Sequence, residues 1–368
     1  MTSTLRHVGM TQDRDDVAAR PSIAARASPA PTGTRPADPV TAVSSGSAPA
    51  AGRPAPTTSS SSAEVLHPYL VRQLDQLRRL DPLVRADVPD AVHQMRVAGR
   101  RLRSVFGTYR SLFDSTRTDP LRRDLKWLVT ELGRPRDAEV LRSRIRTVVD
   151  SDDDPHPDAG TKPWVEAQLT AEHDDAHLRA TQAMLSPRYV ALLDTLQSTV
   201  DDPPWAPRAA ETAWHELPGA IRQDWHRLRQ AAKGADRATT LADRAERLHE
   251  VRKVAKRARY SAEAIEPAFG GDATRFAQAL ADLQTVLGDH HDDVVTAQKL
   301  RDLAASSGHD SDALALAHLA SRLDVSNRTR DALYRKALGV ASDAKRLRWL
   351  EGGASQRHVP ALFAGTEG

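Results

Sequence analysis

At 368 residues the chain can form one large domain or two ordinary ones, and its 52 Lys and Arg against 49 Asp and Glu leave a formal net charge of only +3. That near-balance excludes a general polycation, and the lack of cysteine excludes disulfides and thiolate-ligated metal sites. No apolar run approaches the roughly 18 residues that would span a bilayer, and the N-terminal MTSTLRHVGMTQDRDD offers no apolar core for a secretory signal. The expectation is a soluble cytoplasmic protein with no membrane partner.

Residues 1–62 are rich in Ala, Pro, Ser and Thr and carry no hydrophobic period. Such a segment buries too little surface to offset its ordering entropy, so a disordered tail is expected there. From Ala63 onward the pattern is helical. AEVLHPYLVRQLDQLRRL carries apolar residues at helical intervals, and Asp87 ahead of Val88-Pro89 marks an expected start for a second helix. Periodic stretches follow at about 119–133, 137–149, 163–184 and 187–199. DDPPWAP, from Asp201, breaks the chain. Helical segments resume at about 209–232, 239–266, 272–287, 291–306 and 310–350, and no strand pair is found. The fold class is all-α, with an aliphatic core suited to helical bundles. The expected divisions are a first helical half at 63–200, a second at 201–352 and a C-terminal tail at 353–368.

Two of these helices are unusual. VHQMRVAGRRLRSVFGTYR begins at Val92, and LHEVRKVAKRARYSAEAI begins at Leu248. With His93 set on His249, Arg96 falls on Arg252, Arg100 on Lys256, Arg101 on Arg257 and Arg103 on Arg259. These offsets lie within an arc of about 160° on one helix face. The opposite face is apolar: Met95, Ala98, Leu102, Val105 and Phe106 in the first, Val251, Val254, Ala258, Ala262 and Ile265 in the second. No Asp or Glu falls between His93 and Arg110, or between Val251 and Tyr260. Such local like charge disfavours the folded state unless an anion meets it.

The repeat extends further. DLKWLVTELGRPRDAEVL, from Asp124, matches DLQTVLGDHHDDVV, from Asp282. Gly133 to Gly288 and Asp137 to Asp292 are each 155 residues apart, and His93 to His249 is 156. A duplicated unit of about 150 residues is expected. Each Leu-Gly fits a glycine helix end, and each following Asp fits the cap of the next helix.

HQMRVAGRRLRS, LHEVRKVAKRARY and the turns LGRPRD and LGDHHDD, in this order and spacing, resemble the CHAD family, the α-helical domain named for its histidines. The resemblance covers about residues 65–350. It implies two pseudo-symmetric helical bundles from an internal duplication, with basic helices lining a central cavity or pore. It also implies binding of inorganic polyphosphate, some members residing at polyphosphate granules, where granule-associated proteins would be partners. The family domain has no established catalytic activity. Many members are fused to a triphosphate tunnel domain that needs an E-x-E-x-K strand motif; this chain lacks it and resembles a free-standing form. Its departures are the long N-terminal segment and His290-His291, where the first repeat has Arg134 to Arg136.

A flexible polyanion needs donors in a row. Arg bridges two phosphate oxygens through its planar fork, and Lys supplies a mobile point charge. The first-rank ligands are Arg96, Arg100, Arg103, Arg252, Lys256 and Arg259. Lys253, Arg101 and Arg257 sit at the edge of the arc, and Lys126 and Arg136 lie on neighbouring elements. His93 and His249 sit at the centre of the arc, where neighbouring cations disfavour protonation until a phosphate binds. The His290-His291-Asp292-Asp293 run is the most metal-like cluster, but consecutive residues on a helix point apart; a helix start with one residue facing the cavity is expected instead. No cofactor or metal is expected. No Walker loop, H-E-x-x-H or nucleophile elbow occurs, so the expectation is a binding protein and not an enzyme, with a polyphosphate-processing enzyme as the lesser alternative. The alternative partner, nucleic acid, is disfavoured because only Phe106, Tyr109 and Tyr260 are interleaved with the basic residues.

Overall fold

The computed structural model describes residues 55–150 and 160–354. Most of the segment expected to be a tail, and nearly all of 353–368, lies outside them. Eleven α-helices are found in the described residues. In the first half these are α1 (Ser62–Arg85), α2 (Ala91–Thr108), α3 (Ser115–Glu131), α4 (Gly133–Val149), α5 (Thr161–Leu185) and α6 (Pro187–Asp201). In the second half they are α7 (Ala213–Asp236), α8 (Leu241–Phe269), α9 (Gly271–Ser306), α10 (Asp310–Ala341) and the short α11 (Ala344–Leu347). Beyond two isolated bridges, no strand occurs among the described residues. The all-α expectation holds.

Local chemistry explains several boundaries. Ser61 and Glu64 form a capping box, each side chain meeting the other's backbone amide, and this starts α1. Asp114 caps α3 by accepting from the Thr116 amide at 2.8 Å. The start of α2 differs from expectation. Asp87 does not cap it; both Asp87 and Asp90 take left-handed backbone angles (φ 50° and 66°), and the helix begins only after Asp90. Aspartate tolerates that region better than most residues.

The second Leu-Gly does not end a helix. Gly288 lies inside the continuous 36-residue α9, so Asp292 and Asp293 are mid-helix residues and not caps. In the first half the chain does break at Leu132, and α4 starts at Gly133. Pro135 accounts for the difference: proline is accepted in a first helical turn but disrupts a helix interior, and the second repeat has His290 there.

The expected halves share one core. A single apolar cluster draws on α1, α2, α3 and α6 and equally on α7, α8 and α9. A second, smaller cluster joins Ile145 and Val149 of α4 and Val165 and Leu169 of α5 to Leu300 of α9 and Leu316 of α10. Backbone bonds from Ala213 to Ser60 (2.8 Å) and from Trp214 to Thr58 (3.0 Å) clip the chain ahead of α1 onto the start of α7. The described residues 55–61, which belong to the segment expected to be a tail, are thus held against the helical core.

α2 and α8 pack against each other antiparallel. Arg101 of α2 meets Glu263 of α8 at 3.1 Å, and Arg257 of α8 donates to the Gly107 carbonyl of α2 at 2.7 Å. The two donors are 156 residues apart in sequence, and so are the two acceptors. On α2 the expected apolar face is fully buried. On α8, Val254 is only partly buried and Ala255 takes its place in the core.

Candidate anion-binding site

The sequence places thirteen polar and basic residues on or beside two ridges; packing sorts them into two groups. In the first group the cation is committed to a buried or largely covered carboxylate from another turn or helix. Arg259 is only 4% exposed and donates to Glu263 at 2.7 Å. Arg101 reaches the same Glu263, whose side chain is 14% exposed, and lies over the Tyr260 ring. Arg257 pairs at 3.1 Å with Asp224 of α7, which is completely buried and also accepts from Arg227 (2.6 Å) and Thr108. These three arginines thus tie α2, α7 and α8 together, whereas the helical wheel put Arg259 among the first-rank ligands. A wheel drawn at 100° per residue cannot tell a solvent face from one covered by a neighbouring helix. The sequence stretches free of Asp and Glu are also partly neutralised in space, by Asp137, Asp224 and Glu263.

In the second group, Arg96, Arg136 and Lys253 pair with exposed carboxylates. Arg100 and Arg103 are half-buried on α2, and no ion pair to either occurs among the described residues. Burial, followed by the charges of Arg100, Arg122 and Arg257, makes the Arg103 guanidinium a weaker base than usual. Arg96 is held below its usual value by burial; Asp137 opposes this, while Arg100 and Arg136 add to it. Six arginines on α2 and its neighbours therefore act on one another in a partly desolvated setting, where charges interact more strongly than in water. Arg136, in the first turns of α4, also pairs with Glu139 at 2.8 Å. Lys126 stands exposed on α3, outside this set of contacts.

On α8, His249 has Lys253, Arg252 and Lys256 around it. Burial is the largest cause holding its imidazole below the usual histidine value, those three cations add to it, and Glu250 opposes it. Its ring lies 4.3 Å from that of His291 on α9, and its Nδ1 atom is buried without a hydrogen-bond partner. His291 is pushed down to about 4, chiefly by burial and then by His249 and Arg252; Asp292 and Asp137 act the other way. Lys253 is exposed and pairs with Glu250 on its own helix. His93, in the first turn of α2, is half-buried.

The residues from His290 to Asp293 do not all face one way, although Asp292 and Asp293 both lie beside Arg144 of α4. His291 faces His249, while Asp293 is buried and pairs with Arg330 of α10 (2.8 Å) and Arg144 of α4 (3.3 Å). Among the described residues no three His, Cys, Asp or Glu side chains converge as metal ligands would.

Sequence reasoning missed Arg122, Asp137's pairing with Arg96, Asp224, and His291 as the neighbour of His249. Only His291 left a trace: it stands 155 residues after Arg136, the spacing that also separates Gly133 from Gly288. Asp224 left none, since it comes from a helix outside both motifs.

These features define an all-α protein with a polybasic cluster built where several helices meet. The chain belongs to the CHAD domain family, whose profile matches residues 68–301. Two Mycobacterium tuberculosis proteins from different strains, named uncharacterized protein MT2285 and uncharacterized protein Rv2226, are each 34% identical over 241 residues. The match covers 65% of this chain and 45% of theirs, so the chain spans about half the length of these relatives. Among solved structures, the CHAD domain from the plant Ricinus communis aligns with a TM-score of 0.59 and 26% identity, covering 80% of this chain and 97% of that one. PptA from Streptomyces chartreusis aligns with a TM-score of 0.65 at 20% identity, covering 76% of this chain and all of that one, and is alike in fold. None of the helices among the described residues is long and apolar enough to cross a membrane.

Proposed function

We propose that the chain binds inorganic polyphosphate without transforming it, through two pseudo-symmetric basic surfaces that face a central cavity, and that this binding recruits it to polyphosphate granules and their associated proteins. The observation that carries the proposal is the grouping of Arg96, Arg100, Arg103 and Arg136, each half-buried, with the exposed Asp137 paired to Arg96 and, among the described residues, no ion pair to Arg100 or Arg103. Mutual repulsion in such a place costs the unliganded fold stability, and a linear polyanion removes that cost along its whole length. On the second surface His249, Arg252, Lys253 and Lys256 take the equivalent part, with His93 completing the first and Lys126 at its edge. The reciprocal contacts of Arg101 and Arg257 across α2 and α8, at one constant sequence spacing, support an origin by duplication. Arg101, Arg257 and Arg259 act in this reading as the frame that holds the ridges in register.

The test is binding of the purified chain to long-chain polyphosphate at about 150 mM salt, an ionic strength at which surface attraction alone is largely screened. Double-stranded DNA and RNA compete at equal phosphate concentration, and free phosphate is followed over hours. Binding that resists competition and is lost in an Arg96, Arg100, Arg252 and Lys256 alanine variant of unchanged melting temperature supports the reading. Equal competition by DNA or RNA makes the site a general polyanion surface, and steady phosphate release makes the protein an enzyme.

A further inference from the structure

The carboxylates that touch the basic residues differ sharply in exposure. Asp224, which holds Arg257, is fully buried, and Glu263, which holds Arg101 and Arg259, is mostly covered; neither can leave without disturbing the α2, α7 and α8 junction. Asp137 reverses the pattern. Its side chain is 76% exposed, yet it pairs at 3.0 Å with Arg96, which is only 13% exposed. The carboxylate therefore lies on the solvent side of the guanidinium, where an incoming anion would arrive. The same Arg96 nitrogen also donates to the Gly133 carbonyl at 3.1 Å, so the main chain keeps the guanidinium aimed if the carboxylate departs. Gly133 leaves room for this: a Cβ there would stand 3.2 Å from the guanidinium. Across the gap, His291 of α9 lies within the electrostatic influence of Asp137, so this one carboxylate acts on groups from both halves.

Resting on the polyphosphate reading, we infer that Asp137 is a displaceable internal counter-ion: it occupies Arg96 in the unliganded protein and gives it up to the polyanion. Asp137 then sets a threshold that any anion must overcome to reach Arg96. A sparse or singly charged anion must compete with a carboxylate already in place. A polyphosphate chain wins because its neighbouring phosphates are held at the same time by Arg100 and Arg103, giving it a high effective concentration at Arg96. Single phosphate ions gain nothing of the kind.

The test uses the full chain and two substitutions, Asp137→Asn and Asp137→Ser, with Asp124→Asn as control; Asp124 pairs with Arg188 of α6, outside the basic cluster. Affinity for long-chain polyphosphate and for inorganic phosphate is measured over a range of salt. An exposed ion pair is of modest strength, so both Asp137 variants are expected to bind polyphosphate about two- to fivefold more tightly. Their salt dependence should steepen by about one released ion. Affinity for inorganic phosphate at this site should rise by a similar factor, and the control should match the wild type. If the wild type binds polyphosphate and both Asp137 variants bind it equally well or more weakly, Asp137 is a framework residue and the inference is overturned. If the wild type does not bind polyphosphate, the functional reading falls, and this inference with it.

Discussion

Replacing Arg103 by methionine should make the unliganded protein more stable and the binding protein worse. Methionine keeps the unbranched stem and has nearly the helix propensity of arginine, so the substitution mainly deletes charge. The charges acting on Arg103 are those of Arg100, Arg122 and Arg257. Arg122 is already paired with Asp119 at 2.9 Å and Arg257 with Asp224, which leaves Arg100 as the main uncompensated neighbour. One like-charge pair about 8 Å apart, at an effective dielectric of about 40, costs about 1 kcal/mol. A gain of about 0.5–1.5 kcal/mol is therefore expected. In a fold of this size that raises the melting temperature by a few degrees, at roughly 2–4 °C per kcal/mol. Thermal unfolding followed by circular dichroism should show the gain at low salt and its decline towards 1 M salt, where the Debye length is about 3 Å. In the same variant polyphosphate affinity should fall about ten- to a hundredfold, the worth of one charge-assisted hydrogen bond. A loss of stability at low salt would show that Arg103 is held by its surroundings and not strained by them, and the charge-repulsion reasoning would fail.

The buried frame should respond in the opposite sense. Asp224→Asn leaves Arg227 and Arg257 without their shared anion and should cost about 3–5 kcal/mol, seen as a lower denaturation midpoint with little change in slope; a loss below 1 kcal/mol would mean that the arginines find other partners. The His249 and His291 pair predicts a pH effect. Both imidazoles are held below the usual histidine value, so the unfolded chain takes up protons first, and the stability they contribute is present above about pH 6.5 and lost as pH falls towards about 4. A bound polyanion favours the charged rings, so polyphosphate binding near pH 6 should take up protons and tighten between pH 7 and 5. Calorimetry in buffers of different ionisation enthalpy reads that uptake directly. Equal uptake in a His249→Gln, His291→Gln double variant would assign it to other groups.

Periodicity alone established the all-α class, most helix spans and the apolar face of α2, and it pointed to two matched basic ridges, because each depends on residues close together along one helix. The repeat spacing, also a property of the sequence, paired Arg101 with Arg257 before any contact between them and the opposite helix was known. What tertiary structure decided was the occupation of each cation. Arg259 and Arg103 stand at similar angles on their wheels, yet one is buried against Glu263 and the other is left among arginines. The difference comes from which helix covers them, and that is set by long-range packing. The merging of two expected α9 segments into one helix, the left-handed residues ahead of α2, and the arrival of Asp137 and Asp224 from distant elements have the same origin. Whether a charge is a ligand or a strut depends on where its counter-charge lies in space, and helical period carries no information about that distance.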